Sequence, residues 1–207
     1  MKMFALRLSV SSKAVLAVAM LPLLALPALA ATGSSADHQQ LVSANAQLTT
    51  SLNTKKLSQG ARITARLTSN VKAAGSVDIP KGSVLIGKVE HVSMSRDKGP
   101  SKLSIVFNQA RLHNGHTVPV KATLLAAYPS ASWGSDGNAG GSYTWEQSHI
   151  IPNDQKVDQE PGTLSHIAMQ SAVQSPVSGV FTSKNRNIKL HRGTRFQLAI
   201  APMAKKG

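Results

Sequence analysis

The sequence predicts a mainly β protein, a small closed β-barrel or sandwich of at least six strands with one short helix and a long disordered insertion. Three observations carry this. Several segments alternate apolar and polar residues with a period of two, the pattern of half-buried strands. One Asn-Gly dipeptide lies between two long runs of that kind. The chain is 42% hydrophobic but only 4% aromatic, so its core is aliphatic, built from Val, Ile, Leu and Ala. A length of 207 residues suits one modest domain plus a processed or disordered remainder, and the lack of cysteine excludes disulfides, CxxC sites and thiol nucleophiles.

Residues 1–30 carry Lys2, Arg7 and Lys13, then an apolar run from Ala14 that ends Ala28-Leu29-Ala30. This is the three-part pattern of a secretory signal peptide, with cleavage expected after Ala30. Pro22 and Pro27 interrupt the run, which is short for a membrane span. The expected product is exported, to the periplasm or beyond, with no transmembrane span once the signal is removed. Residues 31–56 read as a flexible lead-in, where Leu41, Ala44, Leu48 and Leu52 have the spacing of one weak helix.

The first part of the barrel is expected over residues 57–128. In it Ile63, Ala65 and Leu67 alternate with Arg62, Thr64, Arg66 and Thr68, a strand with a basic outer face. Ala73-Ala74-Gly75-Ser76 breaks the pattern, Pro80-Lys81-Gly82 turns the chain, Val84 to Val92 forms an apolar strand, and Ser93 to Ser101 is a polar loop. Asn114-Gly115 then joins two strands through an expected type I′ turn. Pairing His113 with His116 sets Arg111 opposite Val118, Phe107 opposite Ala122 and Ile105 opposite Leu124. One face thereby collects Leu103, Ile105, Phe107, Val118, Val120, Ala122 and Leu124.

Residues 129–162 lose periodicity and read as a Gly/Ser-rich acidic loop. Over 163–202 a short helix is expected from Leu164, Ile167, Ala168 and Ala172 on one helical face, ended by Pro176 and followed by the closing strands. Residues 203–207 form a basic tail. A faint repeat links Leu67-Thr68-Ser69 and Ile79-Pro80-Lys81-Gly82-Ser83 with Phe181-Thr182-Ser183 and Leu190-His191-Arg192-Gly193-Thr194.

The formal charge of +14 falls to +11 without the signal and is uneven: +8 over 31–129, −4 over 130–162 and +7 over 163–207. Such a field attracts anionic polymers, and in an exported protein these belong to the envelope rather than to specific nucleic acid. Arg62, Arg66, Lys88, Lys102, Lys121, Arg192 and Arg195 are the candidate basic patch, and Trp133, Tyr143 and Trp145 form a candidate aromatic group in the acidic loop. His113 and His116 are too few ligands for a metal site, the Asp136 region lacks the terminal Glu of a calcium loop, and no nucleophile motif such as GxSxG occurs. No cofactor, metal or catalytic residue is expected. A carbohydrate-directed hydrolase is the least favoured alternative.

The order of motifs resembles the C-terminal β-barrel domain of the TrbI-like family, scaffold proteins of conjugation and type IV secretion core complexes. The matching stretches are Gly60-Ala61-Arg62-Ile63-Thr64-Ala65-Arg66-Leu67, Ile79-Pro80-Lys81-Gly82-Ser83-Val84-Leu85-Ile86-Gly87, and Leu103-Ser104-Ile105-Val106-Phe107 continuing through Asn114-Gly115 to Val118. The resemblance implies a barrel used for assembly and contact with neighbouring subunits, not for catalysis. Where that family has an apolar helical hairpin this chain has the acidic loop, so a free-standing barrel is expected. Its partner is an envelope protein or an anionic envelope polymer, and self-association is compatible with this role.

Overall fold

A computed structural model describes residues 40–72, 77–130, 151–152 and 154–203. The elements are β1 (Val42–Leu48), β2 (Leu52–Asn53), β3 (Arg62–Leu67), β4 (Val84–Ser93), β5 (Ser101–Arg111), β6 (Thr117–Tyr128), β7 (Lys156–Leu164), β8 (Ile167–Ala172), β9 (Gly179–Ser183), β10 (Lys189–Leu190) and β11 (Arg195–Pro202). Six of them close an antiparallel barrel in the order β4-β3-β1-β11-β6-β5, with β5 returning to β4. From β5 the sheet continues into β9, β8 and β7, while β2 and β10 pair separately. The mainly β, closed-barrel class is the one expected.

Alternation builds the wall. Ala44, Ala46 and Leu48 of β1, Ile63, Ala65 and Leu67 of β3, and Phe196, Leu198 and Ile200 of β11 are all buried, whereas Arg62, Arg66 and Arg195 between or beside them are exposed. Phe107, Phe181 and Phe196 fill the interior, the first and last tilted at 57° with centroids 6.3 Å apart. Bulges bend the strands where they must curve. Asn108 is the extra residue in β5, since Phe107 pairs with Gly87 but Gln109 with Ile86, and Leu125 is the extra residue in β6. Each bulge reverses the alternation, so Phe107 and Ala110, like Leu124 and Ala127, are both buried although three residues apart.

Three local expectations are corrected. The hairpin turn has three residues, His113 to Gly115, because only Gly115 takes positive φ (83°) and a type I′ turn needs it at Asn114 as well. The Gly115 N–H donates to Leu112 O (3.0 Å) and the Leu112 N–H to His116 O (2.8 Å). The register therefore slips by one, to Arg111 opposite Thr117 and Ala110 opposite Val118. The expected helix over 164–172 is absent: Leu164 ends β7, Ser165-His166 turns the chain with His166 at φ 61°, and Ile167 begins β8. Its helix-like three-residue step is a turn between two strands. The lead-in helix is likewise replaced by β1 and β2, because a four-residue spacing is shared by period two and period 3.6.

The acidic loop is shorter than expected at its C-terminal end, since β7 starts at Lys156 and is the outermost strand of the sheet. Before it, Ile151 packs with Leu41, Val173, Ala199 and Ala201 in a second small cluster outside the barrel wall, which explains why β11 is buried on both faces towards its end. Residues 1–39, which include the expected signal peptide, and residues 73–76, 131–150, 153 and 204–207 lie outside the described residues.

Beyond Gln109, β5 leaves β6 and turns to β9, so the expected pairs Phe107–Ala122 and Ile105–Leu124 do not form. Buried Ser178 spans the gap: its N–H donates to Ile105 O (2.8 Å), its Oγ accepts from Phe107 N–H (2.9 Å), and its carbonyl accepts from Leu124 N–H (2.8 Å). Further along β6 the Gln159 amide accepts from Ala127 N–H (2.8 Å) and donates to Ala127 O (2.9 Å), and Ser171 Oγ donates to Leu124 O. Side chains thus do the work of a missing strand.

The faint repeat is structural, but one half of it has a different counterpart. Gly82 N–H donates to Leu67 O and Leu67 N–H to Ser83 O, and Gly193 N–H donates to Leu48 O and Leu48 N–H to Thr194 O. Ser83 N–H closes its turn on Pro80 O as Thr194 N–H does on His191 O. Asn70 Oδ1 accepts from Lys81 N–H (2.8 Å) as Ser51 Oγ accepts from Arg192 N–H (3.0 Å). Val71 bridges Ile79 as Leu52 pairs with Leu190. The partner of Leu67-Thr68-Ser69-Asn70 is therefore Leu48-Thr49-Thr50-Ser51, not Phe181-Thr182-Ser183.

Candidate functional site

The basic residues expected to bind lie on the outside of the barrel because they alternate with the buried set. Arg62 faces Lys88 across β3 and β4, an unfavourable juxtaposition relieved by Glu90, whose Oε2 is 3.0 Å from Lys88 Nζ. Both groups of that ion pair are about half exposed, so it is worth little. Arg66 donates from one guanidinium nitrogen to Gly82 O (3.3 Å), which ties it to the turn after β3. Arg195 lies 5.9 Å from the centre of the Tyr128 ring, a cation–π contact across β11 and β6.

Strand register brings some of these groups together and separates others. One row of outward positions runs Tyr128, Arg195, Gln47, Arg66, Val84, Arg111 and Thr117, crossing β6, β11, β1, β3, β4, β5 and β6 again. It returns to β6 eleven residues from its start, the stagger of a strongly tilted small barrel. Its three arginines occur on every second strand, about 10 Å apart for strands spaced near 4.8 Å. Arg62 and Lys88 face each other two outward positions away from this row, beyond Thr64 and Ile86. Lys102 stands on β5 between Ser93 and Thr182, Lys121 on β6 opposite Ala201, and Arg192 in the turn before β11. The seven cations do not share one face.

Arg111 belongs to the row and is missing from the expected patch. Its signal was its position at the outward end of β5, hidden by the Asn108 bulge that shifts the alternation there. Trp133, Tyr143 and Trp145 lie outside the described residues. His113 packs its ring against Gly82, where an added Cβ would sit 2.8 Å from Nε2. Among the described residues no three of His, Cys, Asp and Glu come together as a metal site, and no helix is long and apolar enough to cross a membrane.

No protein-family model matches the chain, and no curated protein matches it. Among solved structures it has a weak likeness to ComB10 of the Com type IV secretion system of Helicobacter pylori. The two share 11% identity at a TM-score of 0.35, over 79% of this chain and 86% of that one.

Proposed function

We propose that this protein is an exported, non-enzymatic component of the bacterial envelope that acts as a structural and interaction module, in the manner of a scaffold. One observation carries the reading: the barrel interior is filled by Phe107, Phe181, Phe196 and their aliphatic neighbours, so the chemistry it offers is on its outer wall and ends. The seven predicted cations are distributed around that wall, which suits contacts with several neighbours better than one ligand. A photo-crosslinking residue placed at Lys88 or Lys102 in cells should capture an envelope protein on the exported form, whose N-terminus is Ala31. Protein that keeps Met1 and yields no adduct from either position would overturn the proposal.

A second reading, a binder of anionic envelope polymer, is favoured by the Arg195, Arg66 and Arg111 row. Replacing those three by Gln should then reduce retention on the polymer and flatten its dependence on salt. Equal retention and an equal salt slope would remove this reading.

A further inference from the structure

At the barrel end where β6 finishes and β11 begins, the chain forms an open pocket of about 280 Å³. One wall is the segment 186–191, which contributes Arg186, Lys189 and His191. That segment is held firmly. Ser101 Oγ donates to Arg186 O (2.7 Å), Asn187 Oδ1 accepts from Ser95 N–H (3.0 Å), Thr54 N–H donates to Ile188 O (3.1 Å), and Lys189 and Leu190 pair with Asn53 and Leu52. The other wall is the β7–β8 turn, which contributes Leu164 and Ile167, and buried Leu190 completes an apolar floor.

Among the described residues the lining holds no Asp or Glu. Arg186, Lys189 and His191 are exposed at its rim above that apolar floor, so Arg186 and Lys189 set two permanent positive charges at one mouth, where their fields add. An anion at that mouth meets both charges. The floor gives its stem somewhere apolar to lie, and a volume just below the usual range of about 300–1,000 Å³ for ligand sites limits the stem to a short one. Because the backbone of the basic wall is fixed by tertiary hydrogen bonds, little ordering is required when the ligand enters.

We propose that this cavity binds a small amphiphilic anion, a carboxylate or phosphate head on a short aliphatic stem. The site is separate from the outer-wall residues of the scaffold reading and does not depend on it. Octanoate, octyl phosphate, inorganic phosphate and 1-octanol, titrated into the full-length protein by calorimetry and by amide chemical shifts, test the proposal. At least one of the two amphiphilic anions should bind saturably, with shifts at residues 164–167 and 186–191, and tenfold or more tighter than octanol or inorganic phosphate. The tighter of the two identifies the head group.

The doubly substituted Arg186→Gln, Lys189→Gln protein should lose tenfold or more in affinity with unchanged melting, while Lys88→Gln, on the outer wall, should bind as the parent does. Octanol binding as tightly as the anions would show a merely apolar hollow. Inorganic phosphate binding as tightly, or equal loss from Lys88→Gln, would show diffuse surface charge. Either result, or no saturable binding of either amphiphile, overturns the site.

Discussion

Replacing Ser178 by Ala tests how the barrel is closed. The Oγ of this buried residue accepts the Phe107 N–H at 2.9 Å, at the place where β5 has already left β6. Alanine keeps the two backbone bonds, to Ile105 O and from Leu124 N–H, and removes only that acceptor. A buried donor left without a partner costs about 1–3 kcal/mol, the upper part applying where water cannot enter. Taking about 2 kcal/mol, and about 2–4 °C per kcal/mol for a domain of this size, the melting temperature should fall by about 4–8 °C. Scanning calorimetry measures the shift, and hydrogen exchange locates it, since the Phe107 amide should lose more protection than its neighbours. A shift below about 1 °C with Phe107 still protected would refute the reasoning. It would mean that β5 and β6 are zipped along their length, with Phe107 opposite Ala122, as the hairpin's alternation alone suggests.

Three further outcomes follow from local geometry. Gly87→Ala should destabilise by about 1–3 kcal/mol or more in thermal melts, because its Cβ would meet the carbonyl oxygen of Val106 on the paired strand, a backbone atom that cannot step aside. Gly115→Val should cost about 1–3 kcal/mol while Gly115→Asn costs well under half as much, since the site has φ 83° but nothing within 4 Å of an added Cβ; equal losses would mean that the penalty is not conformational. Ser51→Ala and Asn70→Ala should each cost about 0.5–1.5 kcal/mol in denaturant unfolding and resemble one another, because they remove the equivalent acceptor from equivalent turns.

The barrel was legible where one residue's neighbours decide its direction. Ile63, Ala65 and Leu67, or Phe196, Leu198 and Ile200, announce a two-sided strand without further context, and these are core residues of β3 and β11. Legibility failed where two periods coincide or where the alternation restarts. The spacing of Leu48 and Leu52 fits a helix and a strand equally, and the Leu164 to Ile167 step imitates a helix only because a two-residue turn lies between. Asn108 and Leu125 carry no sequence mark of a bulge, yet each moves every later residue of its strand to the other face. The same problem affected the outer wall. Which residues face outward was readable, but which cations share a row depends on register and stagger, and these are properties of strand pairs.

The two corner units show how such long-range order is secured by short-range chemistry. In one, the chain returns from Val71 to Ile79; in the other it leaves at Leu52 and returns at Leu190 after most of the barrel has been built. The same set of contacts serves both: a leucine that exchanges two hydrogen bonds with the incoming turn, a polar side chain three residues later that holds the turn's second N–H, and a bridge beyond it. The corner therefore does not depend on the length of chain it closes. Closing the longer excursion costs more entropy, but the cost grows only as the logarithm of length, so one modest set of bonds can serve in both places. What the longer closure adds is packing. Once Leu52 and Leu190 are paired, β1 and β11 are in register, and Leu48, Phe196 and Leu198 enter the core beside Phe107 and Phe181. The pinch at β2 and β10 thus lies beside the β1–β11 seam, where the two ends of the described chain meet in the wall. It also holds Lys189 and Leu190, so the contacts that secure this corner position part of the basic wall of the end cavity as well.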